Sequence, residues 1–241
     1  MKEKNMPFGE HLEELRGRFL IVFFSIILFS AASFYFMDGI LWLLKRPAQG
    51  LITTFAVFSP TAAVLSFIKI AFSCGVSLSI PIFLYELWLF VIPAIEDRTA
   101  RKGALFIFAG SFLFMVGALF SYFFLLPASL EFLLSVGKGE LQFIISLDSY
   151  VSFVLLLMLG GGVVFEMPVL VFLLARFGIL TARKMVEGWR IAAVLILIGA
   201  AFLTPTPDVV NMILMSVPMF GLYVVSIAVA GFAQRRKKNS K

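Results

Sequence analysis

A chain of 241 residues that is 61% hydrophobic and 14% charged, with a mean hydropathy of +1.03, has too much apolar surface for a water-soluble single-core domain. Its 29 Phe residues serve as bulk for lipid-facing and inter-helix packing, and its net charge of +6 gathers beside the apolar runs, a topology signal rather than a nucleic-acid footprint. A single cysteine, Cys74, excludes an internal disulfide framework and a Cys-based metal site, and a single histidine, His11, excludes a His-rich metal cluster or a Ser-His dyad.

Glu3, Glu10, Glu13 and Glu14 precede the first apolar run, and no small-residue cleavage site follows it. That run is therefore expected to be a retained span and not a cleaved signal peptide. Phe8, Leu12, Leu15 and Phe19 recur at i, i+4, i+7 and i+11, one stripe of a helix expected to lie on the membrane surface over residues 6–19. Glu10, Glu13 and Glu14 project away from the stripe, with Glu14 four residues ahead of Arg18 for a local pair. Two readings fit these acids. One is the solvated face of an interfacial helix; the other is an anionic patch for a cationic ligand, suited to guanidinium because its fork bonds a carboxylate at two places.

Spans are expected at 19–37, 62–92, 104–126, 149–174, 191–203 and 209–232. Lys69 lies about seven residues inside the second, read as snorkelling to the outer interface, with a pairing to Glu166 as the alternative. Tyr85, Trp88 and Phe90 at the end of that span fit an interfacial aromatic belt. Glu86 and Phe90 share a face there, beside the next loop, and with the N-terminal acids would make one composite surface. The fourth span holds Glu166, placed after Gly160-Gly161-Gly162 and before Pro168, residues that thin and bend a helix. A carboxylate at that depth costs on the order of 3 kcal/mol even on lenient insertion scales, so it is expected to face a protein interior or a watery cavity. The fifth run is short, 13 residues reaching about 20 Å against a core of about 30 Å, which fits either a tilted neighbour or a thinned bilayer. The Thr204-Pro205-Thr206-Pro207-Asp208 turn follows, with Asp208 placed to cap the sixth helix.

Of the 20 Lys and Arg, 16 fall in the N-terminal tail, the loop 98–102, the loop 176–190 and the C-terminal tail; only Lys45, Arg46 and Lys138 lie in loops on the other side. The positive-inside rule then puts both termini in the cytoplasm. No internal repeat relates the two halves, which weighs against an inverted-repeat transporter. No phosphate-binding loop, metal-ligand spacing or catalytic triad is present, so neither enzyme activity nor a cofactor is expected.

Taken in order, several short motifs resemble the TatC family, the multispanning subunit of the twin-arginine protein translocase. They are His11-Leu12-Glu13-Glu14-Leu15-Arg16 before span one, Pro47 in the first outer loop, Ser59-Pro60 before span two and PIFLYELWLFVIP from Pro81 to Pro93. Gly117-Ala118-Leu119-Phe120-Ser121-Tyr122 and Pro127 follow in span three, Phe165-Glu166-Met167-Pro168 in span four, and the turn ending at Asp208 before span six. The resemblance implies an all-α integral membrane protein: six transmembrane helices in a concave bundle, both termini cytoplasmic, in the inner cell membrane. It implies a receptor that binds twin-arginine signal peptides and exports folded proteins with single-span TatA- and TatB-type partners, driven by the proton motive force, in homo- and hetero-oligomers. Matched positions assign Glu14 and Arg16 to the signal-peptide site, with Phe90 and the loop after Pro93, and make Glu166 the polar residue met by partner helices. Pro47 and Asp208, with Pro60 and Pro207 beside the same outer turns, would serve the architecture.

Two positions depart from the family pattern. The loop glutamate usual six residues after Pro93 is Thr99 here, so Glu96, Asp97 or Glu86 takes its part, or binding leans on Glu14; the glutamate usual after Tyr223 is Val224. Two other function classes are weighed against the receptor. A proton- or ion-coupled solute transporter would use Glu166 as relay but lacks a second deep acid, and an intramembrane protease lacks a second catalytic group.

Overall fold

The computed structural model describes residues 8–52, 54–91, 103–135, 144–204 and 209–238, with side chains described from Glu13 as far as Gln234. Six crossings make an all-α membrane bundle. They are α1 (Phe8–Tyr35); α3 (Pro60–Val91); α4 (Gly103–Phe120), continued by a π turn Ser121–Leu125 into α5 (Leu126–Ser135); α6 (Leu147–Phe165) with α7 (Met167–Phe177); α9 (Trp189–Leu203); and α10 (Val209–Lys238). Five are long and apolar enough to span, and α9 is a shorter apolar helix. The even number of crossings brings the start of α1 and the end of α10 to one face, the terminal face.

On the opposite face, α2 (Met37–Lys45) and a 3-10 turn Arg46–Ala48 follow span one, and strands β1 (Phe55–Ala56) and β2 (Ile145–Ser146) pair in parallel. Two tyrosine hydroxyls tie this cap to the bundle. Tyr122 donates to the Leu43 carbonyl and Tyr150 to the Leu44 carbonyl, each at 2.7 Å, satisfying C-terminal carbonyls of α2 that its own ladder leaves open. Pro47 sits half-buried inside the 3-10 turn, next to buried Ala48. Pro60 is the first residue of α3, where its missing N–H is not needed, and Ser59 caps that helix through Ala62 N–H at 3.1 Å. On the terminal face, α8 (Ala182–Glu187) is held to span six by Tyr223, whose hydroxyl donates to the Met185 carbonyl at 2.6 Å.

Burial is uneven in a way that decides the architecture. In the most apolar stretch of each span, 61% of span four is buried, against 11% of span one and 22% of span six. Span four is the hub, while spans one and six lie largely against lipid, as an open, concave arrangement requires and a closed ring does not. Gly161 and Gly162 allow this packing. Side-chain atoms at Gly162 would fall 2.6 Å from the Phe114 ring, and at Gly161 3.0 Å from the Gly117 carbonyl, so only glycine admits span three so close.

Three expectations need adjustment. The helix expected to lie on the surface over 6–19 is the start of α1, which runs unbroken from Phe8 to Tyr35. No proline interrupts it, and one exposed glycine, Gly17, is not enough to stop a helix. Span three extends to Ser135, well beyond the expected 126, because Pro127 follows a π turn whose wider winding already breaks the regular hydrogen-bond ladder. Span four breaks at the acid, as expected, but its glycine triplet takes no part in the break: α6 continues through the glycines and ends one turn later, at Glu166.

Candidate functional site

Glu14 of span one and Glu86 of span two converge at the terminal face. α1 packs along α3, with the exposed stripe of Leu15 and Phe19 turned to lipid. Glu14 and Arg18, on the other side of the same helix, face α3, where Glu86 is buried at 8% exposure. Arg18 joins the two helices. Its Nε donates to Glu14 Oε1 at 3.1 Å, as does its Nη2, and its Nη1 donates to Glu86 Oε2 at 2.9 Å. The expected Glu14–Arg18 pair is present, and it extends to a third member 68 residues away in sequence. A guanidinium gripped by two carboxylates from separate spans is a charge-assisted network, the strongest form of hydrogen bonding available to these groups.

Phe90 stands one turn after Glu86 and packs, half-buried, against the cluster of Leu84, Trp88, Phe106, Val169 and Leu173. The Trp88 and Phe106 rings lie 4.8 Å apart, fixing the start of span three on the end of span two. Arg16 lies on the exposed side of α1 and makes no ion pair among the described residues. Pro93, Glu96, Asp97 and Thr99 lie outside the described residues, as do Pro207 and Asp208.

Glu166 occupies the break between α6 and α7. Pro168 has no N–H to return to the Val164 carbonyl, so the ladder is interrupted, and Glu166 N–H closes a tighter turn on the Val163 carbonyl at 3.1 Å. The residue is buried at 8% exposure, and its two carboxyl oxygens take no hydrogen bond from the described residues. Gly110 makes the room: a Cβ there would stand 3.1 Å from Glu166 Oε2 and 2.5 Å from Leu84 Cδ1. Two apolar clusters meet at this point, with Val164 in one and Val169 in the other. The ten residues from Glu166 to Arg176, near the terminal face, span about 15 Å of helix, which sets the acid near mid-membrane.

Lys69 does not pair with Glu166. Its ammonium donates to Asp148 Oδ1 at 2.7 Å and to Ser152 Oγ at 2.9 Å, while Ser66 Oγ reaches the same Asp148 oxygen at 3.2 Å. Asp148 opens span four, 18 residues before Glu166, so the amine reaches the opposite interface about 27 Å of helix from the deep acid. Sequence reasoning missed Asp148 as its partner, as well as the anchoring roles of Tyr122 and Tyr150. An acid at the head of a span that faces a lysine inside its neighbour is the only signal the first carried.

Beside the Trp88 cluster, spans two, three, four and six line a half-open cavity of about 480 Å³ with apolar walls that include Leu113, Val229 and Phe232. At its rim the Arg176 guanidinium lies 5.5 Å from the centre of the Phe172 ring. Among the described residues no group of His, Cys, Asp and Glu is placed to hold a metal ion. The described residues place a guanidinium held by two carboxylates at the terminal face and a buried carboxyl group in the membrane interior.

Comparison with known proteins accounts for this layout. The family model described as Sec-independent protein translocase protein (TatC) matches residues 10–218. The Sec-independent protein translocase protein TatC of Helicobacter pylori is 37% identical over 231 residues, which cover 96% of this chain and 90% of that one. Its Aquifex aeolicus counterpart is 35% identical over 241 residues, covering 97% and 98% of the two chains. A crystal structure of the twin arginine translocase receptor TatC matches with a TM-score of 0.82 and 32% identity, covering 93% of this chain and 99% of that one. Matched in sequence and in fold over nearly its whole length, the chain belongs to the TatC family of Sec-independent protein translocase proteins.

Proposed function

We propose that this protein is the receptor subunit of a twin-arginine translocase and that its dock for the paired arginines is built on Glu14 and Glu86. One observation carries the assignment of residues: two carboxylates from different spans lie within hydrogen-bond reach of a single guanidinium at the terminal face. A signal peptide offers the same group. Each charge-assisted contact it makes there contributes about 1.5–3 kcal/mol. Glu86 then supplies the second carboxylate in place of the loop glutamate that is Thr99 in this chain, with Glu96 and Asp97 available from the loop after Pro93. Arg16, exposed on the same turn of helix as Glu14, borders the dock, and Phe90 lines it with an aromatic ring.

The terminal face is the cytoplasmic one in this proposal, supported by the 16 of 20 basic residues that flank it, and the membrane is the inner cell membrane. After docking, the apolar segment of the signal peptide enters between spans, and the cavity beside Trp88 and Phe172 offers apolar volume on the same half of the bundle. Glu166 answers polar groups on the membrane helices of TatA- and TatB-type partners, and folded cargo then crosses at the expense of the proton motive force. The work is binding and gating, not bond chemistry. Reversing the charge with Glu14→Lys tests the dock: export of a twin-arginine reporter should be abolished while the protein still accumulates in the membrane. Undiminished export in that variant would refute the assignment.

A further inference from the structure

We infer that Arg18 is a resident occupant of the dock, a guanidinium of the chain's own first helix that incoming arginines must displace, and that it thereby sets the requirement for a pair. The inference rests on reading Glu14 and Glu86 as the dock's carboxylates. Arg18 already makes the contacts a peptide arginine would make: two nitrogens on Glu14 Oε1 and a third on Glu86 Oε2 at 2.9 Å. The cluster is open at one end and closed at the other. Side-chain exposure falls from 27% at Glu14 through 20% at Arg18 to 10% at Glu86, so the arginine stands between the accessible acid and the buried one.

Charge balance decides how the dock responds to a ligand. Two carboxylates and Arg18 carry one net negative charge. Two further arginines entering with Arg18 in place would crowd three guanidiniums on two acids in a half-buried setting, where like charges repel strongly. With Arg18 gone, two guanidiniums meet two carboxylates and the site is neutral. Arg18 has somewhere to go: its long stem allows the guanidinium, already 20% exposed, to swing out of the seam toward the terminal face.

The same balance separates one arginine from two. A single arginine that joins with Arg18 in place also neutralises the site but reaches only the accessible Glu14, because Arg18 stands over the buried Glu86. If it displaces Arg18 instead, it only exchanges an internal ion pair for an intermolecular one and must also overcome the entropy of association. A pair replaces one guanidinium with two, gaining an ion pair that the resting protein lacks. Arg18 thus acts as a specificity-determining residue, an internal competitor that a lone arginine does not outbid.

The test is equilibrium binding of synthetic signal peptides to the full chain in lipid nanodiscs, using one peptide with two consecutive arginines and one with the second changed to alanine. Arg18→Gln should bind the two-arginine peptide about tenfold more tightly than the natural protein, because the competent site is no longer masked. The single-arginine peptide should gain more, so that the ratio between the peptides narrows. Arg18→Lys keeps the charge next to Glu86 but not the fork, which guards against a variant that fails to fold, and should show a smaller change in the same direction. Equal or weaker binding in both variants, with an unchanged ratio, would overturn the competitor role. Glu14→Gln and Glu86→Gln separate the two levels of the argument. If they lose binding while the Arg18 variants stay unchanged, only the competitor role falls; if they bind as the natural protein does, the dock itself falls.

Discussion

Neutralising Glu86 should destabilise the protein more than neutralising any exposed acid of similar geometry. The carboxylate lies 2.9 Å from Arg18 Nη1 on a residue only 8% exposed. A charge-assisted hydrogen bond contributes about 1.5–3 kcal/mol, and stranding a fully buried charge costs about 3–5 kcal/mol. Arg18 keeps Glu14 when Glu86 is changed to Gln, and the amide oxygen still accepts, so the loss belongs near the lower figure, about 2 kcal/mol. The Arg183–Glu187 pair is the control. Its N–O distance is shorter, 2.7 Å, but its side chains are 88% and 61% exposed, and such i,i+4 pairs contribute about 0.3–0.5 kcal/mol. Distance and burial therefore order the two pairs oppositely. Followed by tryptophan fluorescence during heating of the detergent-solubilised protein, Glu86→Gln should lower the midpoint by about 4–8 °C and Glu187→Gln by less than about 2 °C. Equal shifts, or the reverse order, would refute the view that the buried network fastens span one to span two.

The packing sets three other outcomes. Tyr150→Phe leaves the buried Leu44 carbonyl without the hydroxyl now 2.7 Å away, so the melting midpoint should fall by an amount matching about 1–2 kcal/mol; no fall would mean the outer cap is held otherwise. Gly110→Ala puts a methyl 2.5 Å from Leu84 Cδ1, an overpacking cost of about 1–3 kcal/mol, whereas Gly221→Ala meets nothing within 4 Å and should be neutral or slightly stabilising in the same melt. Glu166→Met removes two buried oxygens that take no hydrogen bond from the described residues, and should raise the midpoint while lowering reporter export; a rise with full export would separate Glu166 from function.

The six spans were legible in the sequence because bilayer thickness imposes a length that composition alone reports, and the Glu14–Arg18 pair because i,i+4 spacing fixes neighbours on a helix. Arg18 to Glu86 was not legible as a bond: residues 68 apart meet only when two helices choose their facing sides, which no local pattern encodes. The misread start of α1 has a related cause. An apolar stripe with acids on the far side signals an interfacial helix in water, but within a membrane protein the stripe faces lipid and the polar side faces a neighbouring span, as Phe19 and Arg18 do. The break in span four was expected from Gly160 to Pro168, yet only Pro168 removes a hydrogen bond, so the helix yields at Glu166 while the glycines serve close packing.

The most direct measurement compares, on the purified natural protein without partner subunits, the affinities for a twin-arginine signal peptide and for the same peptide with both arginines replaced by alanine. Two guanidiniums dock while Arg18 is displaced, and the net gain of one charge-assisted contact predicts at least about a tenfold difference. Equal affinities would contradict the account.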